Sequence, residues 1–131
     1  YDQAQSIFTQ ALALHPASRA LVYGLIDALT VEGSHDQALA QIADYQSLYP
    51  GDAYLYQRAA NVYAKQGKLM QAHKAQAEYY VRLREYDSAI EQLRLALKQG
   101  GGDFYLLSSI EARLRELERD AGKEGKLHTL Q

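Results

Sequence analysis

An all-α superhelix of about seven antiparallel helices, closed by a C-terminal capping helix, is the fold this sequence predicts. Three observations predict it. Segments repeat every 34 residues, and glycine or proline stands at the ends of successive helix-period segments. Ala, Leu and Tyr supply much of a 47% hydrophobic composition in which clustered Val, Ile and Thr are almost absent, which favours helices over strands.

The period is read by aligning residues 1–16 with 35–50. Asp2, Gln3 and Ala4 match Asp36, Gln37 and Ala38; Phe8 matches Ile42, and Pro16 matches Pro50. The next block keeps phase, with Gly33 recurring as Gly67 and Ala38 as Ala72. Two antiparallel helices approach closely where a small side chain faces a large one, so Ala4, Ala38 and Ala72 belong at helix contacts beside Phe8 and Ile42. Gly33 and Gly67 sit where a left-handed residue ends a helix, and Pro16 and Pro50 stop the helices before them.

Element by element, the spacing predicts helices at about 2–14, 18–32, 35–48, 52–66, 69–83, 86–99 and 103–121. Residues 1–99 form the repeats. Tyr1 falls inside a unit, so the first repeat is expected to be truncated and to leave Ile7, Phe8 and Leu12 as an apolar face needing cover. The helix at 86–99 breaks the period, because Ala89 follows Ala72 by only half a repeat. The segment 69–83 must then serve two pairs, with Ala77 and Tyr80 at its second set of contact places, and the superhelix is expected to change course there. Residues 100–121 hold a Gly100-Gly101-Gly102 hinge, an N-cap at Asp103 and a capping helix whose apolar stripe runs Leu106, Leu107, Ile110, Leu114 and Leu117. Its Arg113, Arg115, Glu116, Glu118 and Arg119 are expected on a solvated face. Residues 122–131 have no period and are expected to be a flexible tail.

These residues resemble the tetratricopeptide repeat family. Tyr56, Ala59, Ala60 and Tyr63 look like its first-helix signature, followed by Gly67 and Ala72. One repeat earlier Val22, Leu25, Ile26 and Leu29 hold the same places. Ile26 stands where the family prefers a small residue, so that helix pair is expected to sit wider. The resemblance implies a protein-binding module with a concave groove carried by Tyr23, Asp27, Tyr54, Gln57, Arg58, Asn61 and Lys65, joined by Lys74, Glu78 and Arg82 if the doubled helix also faces inward. Such a groove suits a protein or peptide segment. Asn61 matches the clamp with which co-chaperone arrays hold a C-terminal carboxylate. Gln57 and Tyr23 replace its lysines and Asp27 adds a negative charge, so that clamp is expected to be absent.

Catalytic constellations are not found. The chain has no Cys, and His15, His35, His73 and His128 lack partners at metal-ligand spacing. Neither a catalytic nor a metal-binding residue is assigned, and the chain itself is expected not to be an enzyme. The three glycines at 100–102 lack the strand and Lys-Ser/Thr of a phosphate loop. With 14 basic and 16 acidic residues interspersed, no basic stripe is offered to nucleic acid. No apolar run is long enough to insert in a membrane as a helix.

From about Ala59 to Arg119 the order of segments AEYY, AIEQL and IEARLREL is similar to the C-terminal end of bacterial periplasmic zinc metalloproteases of the β-barrel assembly-enhancing type. That resemblance implies a repeat domain of such an enzyme. Its zinc ligands would lie in an upstream protease domain that the repeats also contact. It further implies a periplasmic location and, as partners, outer-membrane β-barrel precursors or their assembly machinery. A free-standing adaptor with no protease attached is the alternative.

Overall fold

The computed structural model describes the backbone of residues 2–130 and the side chains of residues 3–123. Tyr1, where the expected truncation was placed, and Gln131 lie outside the described residues. Seven helices and no strand occur among those described: α1 (Asp2–Leu14), α2 (Arg19–Val31), α3 (His35–Leu48), α4 (Ala53–Lys65), α5 (Leu69–Arg82), α6 (Tyr86–Gln99) and α7 (Phe104–Leu130). Each packs on the next, and α2 also touches α4. This is the sequential packing of a helical repeat array.

Local chemistry sets the boundaries. Ser18 accepts from the Leu21 N–H at 3.4 Å, Asp52 from the Tyr54 N–H at 3.0 Å, and Asp103 from the Leu106 N–H at 2.7 Å, so α2, α4 and α7 start on side-chain caps. Gly33 and Gly67 take φ of 87° and 74°. The amides just beyond them, Ser34 and Lys68, return to Leu29 O and Tyr63 O at 2.9 Å each. After α5 the corresponding residue is Arg84, at φ 60°, with the Glu85 N–H on Tyr80 O at 2.9 Å. The same turn is made there without the residue suited to it. Arg84→Gly is therefore expected to raise stability by up to about 1 kcal/mol, read as a higher urea midpoint.

α7 departs from the expected end at 121. Its backbone stays helical to Leu130, because no proline follows Asp103 and the added residues include Lys, Glu and Leu. Gly122 and Gly125 cost about 1 kcal/mol each relative to alanine without breaking it.

Two hydrophobic cores lie along the array and meet at α5. The first joins Val22, Leu25, Ile26 and Leu29 of α2 to Ala38 and Ile42 of α3, Leu55, Ala59, Ala60 and Val62 of α4, and Ala75 of α5. The second joins Met70 and Ala77 of α5 to Ala89, Ile90, Leu93 and Ala96 of α6 and to Ile110 and Leu117 of α7. One helix thus serves two pairs, as the half-repeat spacing requires. The small residues lie where the large ones need room: Ala38, Ala77, Ala89 and Ala96 are fully buried. α2 and α3 touch much less extensively than α4 and α5, which agrees with the wider approach expected at Ile26.

The apolar face expected on α1 is only partly open. Phe8 and Leu12 turn onto the first core, whereas Ile7 is 64% exposed. The reason is Gly24 on α2: a Cβ there would stand 2.2 Å from the Phe8 ring. The missing side chain is the space that seats Phe8.

Candidate functional site

The ten groove residues expected from the repeat pattern fall on two separate faces. Tyr54, Gln57, Arg58, Asn61 and Lys65 share one side of α4 by helical spacing, alongside Tyr23 and Asp27 of α2. Lys74, Glu78 and Arg82 occupy a side of α5 roughly opposite to the residues, among them Ala72, His73 and Gln76, that border Gln57 and Asn61. The single continuous groove is thereby corrected: a helix shared between two pairs must offer its two sides to different neighbours.

On the first face Arg58 and Asp27 are already engaged. The Arg58 guanidinium donates to both oxygens of Asp27, at 3.1 and 3.3 Å, and stacks over the Tyr23 ring at 4.2 Å from its centroid. Tyr23 meets Tyr54 edge-on, with centroids 6.3 Å apart, and its hydroxyl donates to Asp52 Oδ2. Asp52 also receives the Tyr54 N–H and lies 3.7 Å from Arg19, which stacks over Tyr49. Burial and then the hydrogen bond to the Asp52 carboxylate push the Tyr23 phenol up to about 12. Tyr54, Gln57, Asn61 and Lys65 remain exposed.

On the second face Glu78 is the centre. Arg113 of α7 donates to it from Nε at 2.7 Å and from Nη2 at 3.2 Å, and Arg82 donates from the following turn of α5. Arg82 also donates to Pro50 O at 3.1 Å and to the Tyr56 hydroxyl at 3.0 Å, while stacking over the Tyr56 ring. Lys74 donates to Ser109 Oγ at 3.1 Å. Lys74, Glu78 and Arg82 therefore clamp α7 and the α3–α4 turn onto α5. Arg113, expected in solvent, points inward because Glu78 is its counter-charge, while Glu116 and Glu118 pair with Arg113 and Arg94 at 2.8 and 3.3 Å.

Burial alone would raise the Glu78 carboxyl, but the Arg113 hydrogen bonds and the charges of Arg113 and Arg82 outweigh it and hold it below the usual range. Folded Glu78 thus binds its proton less tightly than the unfolded chain does. Its stabilisation is complete above the unfolded value, about 4.3, and disappears as pH falls through the lower folded value. Thermal unfolding followed from neutral pH into this acid window is expected to show a shallower loss for Glu78→Gln than for the wild type. An identical acid slope in the two proteins would refute the clamp.

Sequence reasoning missed Asp52, Arg19, Tyr49 and Ser109, and gave Tyr56 a place in the repeat signature but none in the site. A capping signal at Asp52 was visible, but its contact with Tyr23 spans one repeat and is made only by packing. Among the described residues no group of three or more His, Cys or acidic residues is positioned to hold a metal ion, and no helix is long and apolar enough to cross a membrane.

Comparison with known proteins places the first part of the chain. Residues 1–58 match the tetratricopeptide repeat family. No curated protein matches the chain. The match takes in α1–α3 and the start of α4, and the described residues as a whole fold as an all-α, tetratricopeptide-like helical repeat.

Proposed function

We propose that this chain is a protein-interaction module that receives a segment of a partner on the face formed by α2 and α4. Repeats of this type mediate protein–protein interaction. The observation carrying the choice of face is the row of exposed side chains Tyr54, Gln57, Asn61 and Lys65 beside an internally neutralised Asp27–Arg58 pair. Aromatic and amide groups lie open there and no charge on Arg58 or Asp27 must first be stripped of its partner.

The resemblance of residues 59–119 supports a finer reading. The module would serve a periplasmic zinc metalloprotease concerned with outer-membrane protein quality control, presenting β-barrel precursors or the assembly machinery to a protease domain elsewhere in the polypeptide. Zinc and catalysis would reside in that domain. Translating the gene upstream of Tyr1 tests this: a signal peptide and an H-E-x-x-H helix are expected, and a sequence with neither leaves a free-standing adaptor.

A photo-crosslinking residue tests the face. Placed at Lys65 in the full-length protein, it is expected to capture a protein that the same residue at Asp44, exposed on α3, does not. Equal capture from both positions would remove the assignment. Arg58 is a poor reporter, because replacing it also releases Asp27 and Tyr23.

A further inference from the structure

The start of α7 presents the two most exposed large apolar side chains among the described residues: Phe104 is 83% and Tyr105 84% exposed. They follow Asp103, whose carboxylate caps α7 at the Leu106 N–H, so both stand in a fixed first turn. Gly100 and Gly101 take φ of 66° and 79°, which lets the chain reverse between α6 and α7. A Cβ on Gly102 would stand 2.3 Å from Met70 Sδ, so this turn lies directly against the start of α5. The α4–α5 turn is beside it, across a depression of about 400 Å³ bordered by Gly67, Lys68, Leu69 and the three glycines. Leu69 adds a third open apolar group, 44% exposed. Residues 62–72 and 96–107, the two turns with the helix ends that flank them, hold Lys65, Lys68 and Lys98 against Asp103 alone. All three lysines are exposed, so a chain of net charge −2 carries a local positive excess at this edge.

Protruding rings flanked by lysines suit the surface of an anionic bilayer. Aromatic side chains settle at headgroup depth, where the Tyr hydroxyl stays wet, and lysines at the same level meet the lipid phosphates. A protein partner would have to offer a pocket matched to two adjacent projecting rings, whereas a fluid bilayer needs none. We propose that this edge of the array rests on an anionic lipid surface through Phe104 and Tyr105, drawn there by Lys68 and Lys98. Contact at headgroup level requires no membrane-spanning helix. It also does not depend on the choice of the α2–α4 face.

The chain contains no Trp, so Phe104→Trp places a single indole at the tip. Its emission is expected to shift to the blue on adding vesicles of phosphatidylcholine with about one-third phosphatidylglycerol, and to stay unchanged with phosphatidylcholine alone. Leu14→Trp, nearly as exposed but at the other end of the helix pairs, is expected not to shift. In vesicle sedimentation, Phe104→Ser combined with Tyr105→Ser is expected to weaken binding by about 10-fold or more. Lys68→Gln and Lys98→Gln are expected to weaken it by about fivefold each, and about 0.5 M salt to remove the lysine contribution. No blue shift from Phe104→Trp on anionic vesicles, an equal shift on neutral ones, or an equal shift from Leu14→Trp overturns the proposal. Binding that the serine pair leaves unchanged does the same. A protein captured by a photo-crosslinking residue at Tyr105, with no vesicle-induced shift, overturns it in favour of a protein contact.

Discussion

Leu93→Ala is expected to lower the unfolding free energy by about 2–5 kcal/mol. Leu93 is fully buried in α6, packed in the core it shares with Met70 and Ala77 of α5 and Ile110 and Leu117 of α7. Truncation removes three carbons from the centre of a three-helix contact. Ala77, Ala89 and Ala96 are too short to refill the void, and Met70 is the most flexible side chain of this core. The loss should also be local, since the array has two cores that meet at α5. Hydrogen exchange in α6 and α7 is expected to accelerate before that in α2. Ile26→Ala, which empties a fully buried place in the first core, is expected to reverse that order. Uniform acceleration in both variants would show one cooperative unit instead.

Asp52→Ala is expected to cost about 2–4 kcal/mol, close behind. The Asp52 side chain is only 4% exposed and serves three groups: it caps α4 at the Tyr54 N–H, receives the Tyr23 hydroxyl and neighbours Arg19. Loss of the cap accounts for about 0.5–2 kcal/mol, and the Tyr23 hydroxyl left without its acceptor for about 1–3 kcal/mol. Asp52→Asn keeps an acceptor oxygen and is expected to lose less. A spectroscopic readout separates this role from simple packing. In either variant the Tyr23 phenol should titrate below its present value of about 12, because the Asp52 charge no longer adds to burial in raising it. Folded Tyr23 holds its proton more tightly than the unfolded chain, so its stabilisation is complete below pH 10 and is lost as pH rises through about 12. That alkaline loss should shrink in both variants. An unchanged Tyr23 titration would refute the Asp52 contact.

The helices were legible because their signals are local. Period, small residues and turn glycines fixed six of the seven ends to within about two residues, and the doubling of α5 followed from the half-repeat step between Ala72 and Ala89. The end of α7 was not legible, since loss of apolar periodicity does not prevent a helix where helix formers continue. Gly24 gave no signal either, because its role depends on where Phe8 lies.

The sequence by itself determined the fold class, the order of the helices and the burial of Ala38, Ala72 and Ala77, because each depends on residues a few positions or one repeat apart. It did not determine that of Ala4, which is only half-buried. Only the tertiary structure decided which polar residues face one another. Lys74, Glu78 and Arg82 were grouped with the groove by position, yet Arg113 and Ser109, 35 residues further on, draw Glu78 and Lys74 to the opposite side. Asp27 and Arg58, 31 residues apart, neutralise each other and leave the amides of Gln57 and Asn61 as the open chemistry. A long charged side chain takes the partner that packing brings within reach, and neither period nor spacing along the chain encodes that choice.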